Sequence, residues 1–124
     1  MSPLTWSAFV LAGGVGATLR YLVDGSIDDR TEGVFPWGTF VINVSGSLLL
    51  GLVTGLTLYH AFPKAPRVVL GTGFCGAYTT FSTFSFETVR LIEEGAYAEA
   101  MSNAFGTLVI SALGAGAGLA LAAL

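Results

Sequence analysis

Charge is scarce in this sequence. Asp, Glu, Lys and Arg make up 10% of its 124 residues, against roughly 25% in a soluble domain. That is too little to cover a water-exposed globule. Basic residues are the scarcer sign: five Lys and Arg leave a formal net charge of −3. No basic stripe can follow a phosphate backbone, so nucleic acid is not an expected partner. The single cysteine, Cys75, excludes an internal disulfide, and with one histidine, His60, no Cys/His metal site can form. The N-terminus lacks the positively charged region of a secretory signal. It begins almost at once with hydrophobic sequence, which is expected to be retained.

Apolar residues and glycine are abundant. Hydrophobic residues reach 53% and the mean hydropathy is +0.75. These values exclude a disordered chain and an ordinary cytosolic globule. Seventeen glycines occur without a G-X-Y period, which excludes collagen. In lipid, glycine lets helices approach closely, so the composition points to a multi-helix membrane protein.

Four apolar stretches, at about residues 4–23, 37–59, 68–86 and 100–124, each reach the length that crosses a bilayer. Trp6, Tyr21, Trp37, Tyr59 and Tyr97 flank them as interfacial aromatics do. The connections are short: an acidic segment at 24–35 before Pro36, a segment at 61–67 with Pro63 and Pro66, and an acidic loop at 93–99 around Gly95. The expectation is one all-α domain over residues 1–124 with four transmembrane helices and both termini on one side.

Four crossings would place all eight acids on the face shared by the first and third loops. Orientation follows Lys and Arg instead. Lys64 and Arg67 lie on one face; Arg30 and Arg90 lie on the other, with Arg20 if it snorkels outward. This near-balance fits one weakly biased orientation or insertion in both. Small residues recur at four-residue spacing: Asn43, Ser47, Gly51 and Gly55; Gly13 and Ala17; Ala12 and Gly16; Gly114 and Gly118. Such faces serve packing within the bundle or between subunits. Four thin helices leave little room for a pore, so conduction would call for an oligomer.

The third stretch carries the chemistry. Its three glycines and dense Thr and Ser suit a plain helix poorly, and a break near residues 76–80 is expected about mid-membrane. Thr79, Ser82 and Thr83 share a helical face, with Glu87 one turn on; Phe81 and Phe84 project in similar directions. A phenyl ring has a positive edge. Ring edges and hydroxyl protons can therefore receive a small anion without a fixed charge that would hold it too tightly. Asn43 and Thr39 offer donors from the second helix. The competing reading has the hydroxyls bonding their own helix backbone and the phenyl rings facing lipid.

Three blocks of residues are similar to those of a known family. They are Gly13-Gly14-Val15-Gly16-Ala17 with Arg20-Tyr21; Pro36-Trp37-Gly38-Thr39 with Asn43 and Gly46; and Thr72-Gly73-Phe74-Cys75-Gly76 followed by Thr79-Thr80-Phe81-Ser82-Thr83-Phe84-Ser85. On these, along essentially its whole length, the chain resembles the Fluc (CrcB) fluoride channels. The resemblance implies a passive, fluoride-selective channel that exports cytoplasmic fluoride and confers fluoride resistance. It also implies an antiparallel, dual-topology homodimer with two pores, multi-pass in the cell inner (plasma) membrane. By the same resemblance Phe81 and Phe84 coordinate the anion and Asn43 lines the pore. Thr39, Ser82 and Thr83 supply pore hydroxyls, Glu87 lies near the end of that track, and Ser111 reaches the pore from the fourth helix. Arg20 stands near the vestibule. The backbone carbonyls of Gly76 and Thr79 hold a structural Na⁺ at the dimer centre. Thr107 is given no role.

No enzyme activity is expected. The alternatives are a small dual-topology, proton-coupled exporter and a noncatalytic membrane scaffold. The exporter needs a membrane-embedded acid, and the first helix has none before Asp24. The scaffold leaves the Thr-Phe-Ser track without a purpose. An intramembrane hydrolase is weaker still, because the one histidine stands at a helix end.

Overall fold

The computed structural model describes residues 1–124. Helix α1 spans Pro3–Asp28. Pro3 suits the first turn because its missing N–H needs no partner there, and the Ser2 side chain accepts the Thr5 N–H at 3.1 Å. The helix runs past its expected apolar end and takes in Asp24 and Asp28. No proline stops it, and a helix can leave the hydrocarbon and continue into the polar interface. Helix α2 spans Trp37–His60. It follows Pro36 and ends where Ala61 turns left-handed, with φ at 52°.

The third passage is composite. Helix α3, residues 64–78, starts as an α-helix over Lys64–Arg67, widens into π turns over Val68–Cys75 and tightens again over Gly76–Tyr78. Thr79 is then extended, with φ −76° and ψ 159°. Helix α4 resumes over Ser82–Glu93. The interruption thus falls at residues 79–81, slightly later than expected, and Gly76 remains helical. Helix α5 spans Tyr97–Ala122, with π turns over Ser102–Gly106. It begins three residues before the apolar run because Tyr97, Ala98 and Glu99 form its first turn.

Helices α1, α2 and α5 are each long and apolar enough to cross a membrane. The α3–α4 pair runs the length of the same bundle. It starts beside the end of α2, and Glu87 reaches Thr39 at the start of α2. At the opposite end the His60 ring bonds the Ala122 carbonyl at 2.7 Å. All eight acids therefore gather toward one end, as the loop order implied. Only 20 of the 124 residues are buried, while Leu4, Leu11, Leu58 and Leu113 are largely exposed. A bundle this thin cannot bury its apolar side chains in itself; its outer surface suits lipid.

Glycine sets the helix spacing. Helices α2 and α5 meet along Gly51, Gly55, Gly114 and Gly118. A Cβ on Gly118 would strike the Leu48 carbonyl and the Leu52 amide; one on Gly51 would strike the Ala115 backbone. Helix α1 packs on α3 in the same way, with Gly16 against the Phe74 carbonyl and Gly73 facing the Phe9 carbonyl. These small-residue faces serve packing within the chain. Gly46 faces the Thr79 methyl and the Tyr78 ring, which brings α2 against the break.

Replacing Gly118 with Val should force α2 and α5 apart and cost about 3 kcal/mol, at the upper end of typical overpacking. The expected readout is a lower thermal midpoint in detergent than for Gly116→Val, because Gly116 has open space beside it.

Candidate functional site

A broken helix inside lipid exposes backbone groups that must find partners. Asn43, on α2, supplies two of them. Its Nδ2 donates to the Thr80 carbonyl at 2.9 Å, and its Oδ1 accepts the Thr80 N–H at 2.8 Å. The side-chain amide thus reproduces the two bonds that a neighbouring peptide would make. Thr80 then starts α4: its Oγ1 accepts the Thr83 N–H at 3.1 Å and donates to Thr83 Oγ1 at 3.0 Å. On the other side of the break, Thr79 Oγ1 donates to the Cys75 carbonyl at 2.8 Å. The Gly76 and Thr79 carbonyls accept no hydrogen bond.

Two cavities flank this clip, and Thr80 lines both. The first, about 280 Å³, is lined by Asn43, Thr79, Thr80, Phe81, Phe84, Thr107 and Ser111, with no charged residue. The Phe81 and Phe84 ring centroids lie 5.9 Å apart with planes tilted by 32°. Phe81 is 72% exposed in the single chain. Ser111 Oγ is buried and has no hydrogen-bond partner. An unpaired buried hydroxyl is costly and calls for a ligand, water or ion beside it.

The second cavity, about 260 Å³, is lined by Arg20, Asp24, Thr39, Thr80 and Thr83, among others. Glu87 lies just beyond it, with Oε1 accepting the Thr39 hydroxyl at 2.5 Å. This end of the track carries both signs of charge; the first cavity carries neither.

The residues singled out in the sequence therefore fall into three groups. Asn43, Phe81, Phe84 and Ser111 share the first cavity. Arg20, Thr39 and Thr83 share the second, and Glu87 joins them through Thr39. Gly76 borders a further, open hollow of about 360 Å³ with Thr72 and Arg67, and Thr79 lines both this hollow and the first cavity. Ser82 lines none of these; its hydroxyl stands 3.4 Å from Thr80 Oγ1. The self-bonding alternative holds for Thr79 and for Thr88, which donates to the Phe84 carbonyl at 2.8 Å. Ser82 and Thr83 do not bond their own helix in that way.

Sequence reasoning missed Thr80 and Asn103. Thr80 carried a signal: a Thr just before a helical run is a favoured N-cap residue. Asn103 carried none beyond being a polar residue at the start of an apolar span.

Three helices of membrane-crossing length, with a broken α3–α4 pair packed beside them around buried amide and hydroxyl groups, define an all-α membrane protein. Its polar site is of the kind that discontinuous helices build. Within that class the chain belongs to the CrcB family: the model described as "CrcB-like protein, Camphor Resistance (CrcB)" matches residues 7–119. Curated relatives agree along most of the chain. A protein of Leifsonia xyli subsp. xyli is 47% identical over 96% of this chain and 87% of its own length. One from Streptomyces avermitilis is 47% identical over 90% of each chain. One from Frankia casuarinae is 48% identical over 96% of each. All three bear the name Fluoride-specific ion channel FluC 1.

Asn43→Leu should release the Thr80 peptide. Each orphaned buried group costs about 1–3 kcal/mol, so the Thr80 amide should exchange with deuterium at least tenfold faster. Unchanged exchange would show that Asn43 does not hold the break.

Proposed function

We propose that this protein is a passive, fluoride-selective channel that lets cytoplasmic fluoride leave the cell. The observation that carries this reading is the first cavity. Two phenyl rings, an asparagine amide and the unpartnered Ser111 hydroxyl converge there without a charged side chain. Fluoride is small and strongly hydrated, so its replacement ligands must be close and numerous. Neutral donors give it those ligands and still let it leave. The names of the relatives point to the same ion.

The working unit in this reading is an antiparallel homodimer of dual topology with two pores. The balance of Lys64 and Arg67 against Arg20, Arg30 and Arg90 supports insertion in both orientations. The exposed Phe81 ring and the bare face at Gly76 support a second copy on this side. From Arg20 and Asp24 the track leads past Thr39, Thr83 and Glu87, then past the Asn43–Thr80 clip to Phe81, Phe84 and Ser111. Ser82 joins it through Thr80.

The Na⁺ belongs to the same reading, and the donors fit it. The Gly76 and Thr79 carbonyls are free of hydrogen bonds, and Gly76 has open space beside it. An antiparallel two-fold axis through the break would bring two such carbonyls from each copy to one point. Neutral oxygens suit a hard monovalent cation, whose charge would also favour nearby anions.

Liposomes holding the purified protein should release fluoride at least a hundredfold faster than chloride, with no proton gradient required. Phe81→Ile and Phe84→Ile keep apolar bulk but remove the ring edge, and each should cut fluoride efflux at least tenfold while the dimer survives. Equal release of both anions by the parent would end the fluoride assignment; parent-like Ile variants would reduce the rings to packing. Replacing sodium throughout by a large organic cation should lower both the thermal midpoint and fluoride efflux. Full stability and activity without sodium would remove the cation from the account.

A further inference from the structure

Asn103 is completely buried, with 0% exposure, inside the π turns of α5. It lines neither cavity, yet its amide sits in an unbroken chain of hydrogen bonds that ends at the first one. Thr88 Oγ1 donates to the Phe84 carbonyl at 2.8 Å. Asn103 Nδ2 donates to Thr88 Oγ1 at 2.8 Å. Thr107 Oγ1 donates to Asn103 Oδ1 at 3.1 Å. Thr107 then borders the cavity with Phe84 and Ser111.

The direction of this chain is forced. A backbone carbonyl can only accept, so the Thr88 hydroxyl must spend its proton on Phe84. Thr88 Oγ1 is then left to accept, which orients the Asn103 amide with Nδ2 toward it. The Asn103 oxygen must therefore face Thr107, and the Thr107 hydroxyl must give its proton to that oxygen. Thr107 turns lone pairs, rather than a proton, toward the cavity. Ser111, one turn further along α5, is the hydroxyl on this wall with its proton uncommitted.

We propose that Asn103 is a positioning residue of the anion path. By taking the Thr107 proton it keeps that hydroxyl from donating to the passing ion, leaving the α5 wall with one free donor and the site weak enough to release its anion. The orientation of the network stands on the structure alone; its consequence for flux rests on the fluoride-channel reading. A charge-assisted hydrogen bond is roughly twice as strong as a neutral one. A Thr107 proton set free beside an anion would therefore bind it, and the longer dwell would slow conduction.

The test combines a suppressor pair with a spectroscopic readout. Asn103→Leu keeps the volume similar and removes the acceptor, so fluoride efflux from liposomes should fall at least tenfold. Adding Thr107→Val removes the freed proton, and efflux should recover at least fivefold over the single variant. A role in packing alone predicts that the double variant is no better than the single one, and that result would overturn the proposal. Parent-like efflux from Asn103→Leu would overturn it as well. If Asn103→Leu does not assemble, Thr88→Val cuts the chain from its far end and should show the same loss and the same rescue. Independently of flux, the side-chain amide protons of Asn103 should be protected from solvent exchange in the labelled parent and lose that protection in Thr88→Val. Fast exchange in the parent would refute the network. If the parent passes no fluoride, the channel reading fails, and protected Asn103 protons would still establish the fixed orientation.

Discussion

A backbone N–H or C=O in hydrocarbon has no water to turn to, and the site of this protein follows from how that demand is met at one place. Each unsatisfied group costs several kcal/mol in lipid, so a membrane helix can break only where it is buried in protein or borders a water-filled cavity. Here the break at Thr79–Phe81 is held by the Asn43 amide, which bonds both the N–H and the C=O of Thr80. With Thr80 secured, its hydroxyl starts α4, and the start of α4 aims Phe81 and Phe84 into one cavity. The same break leaves the Gly76 and Thr79 carbonyls without partners on the outer face. A continuous helix would provide neither arrangement.

The glycines make this possible from a distance. A break can be clipped from α2 only if α2 lies close to it, and Gly46 against Tyr78 and Thr79 permits that approach. Gly16 and Gly73 bring α1 up to α3; Gly51 and Gly118 bring α5 onto α2. Without a hydrophobic force between helices in lipid, such close backbone contact supplies much of the association. The seams that hold the bundle thus also fix the distance between Asn43 and Thr80. They place Ser111 opposite the phenyl rings, where its hydroxyl has no partner in the chain.

Polar groups are distributed between the two cavities by kind. At one end Arg20, Asp24 and Glu87 supply charge, with the Thr39, Thr80 and Thr83 hydroxyls beside them. The other cavity is walled by amide, hydroxyl and phenyl ring.

Much of this was legible in the residues because it depends on local properties. Length and hydropathy picked out the three helices that can cross a membrane and the fourth apolar stretch, which folds as the broken α3–α4 pair. The crowding of Gly, Thr and Ser between Gly71 and Ser85 announced a break to within three residues, since such a run supports an α-helix poorly wherever it stands. The motifs also carried the family. Tertiary structure alone decided which polar groups meet. Asn43 lies 37 residues from Thr80, and Asn103 lies 15 from Thr88; whether such pairs touch depends on helix register and rotation, which a one-dimensional pattern does not encode. The π turns over Val68–Cys75 and Ser102–Gly106 add a further shift, because each wide turn rotates every later side chain relative to a 3.6-residue reading. Thr107, to which the resemblance gave no role, stands in the folded chain between Asn103 and the cavity.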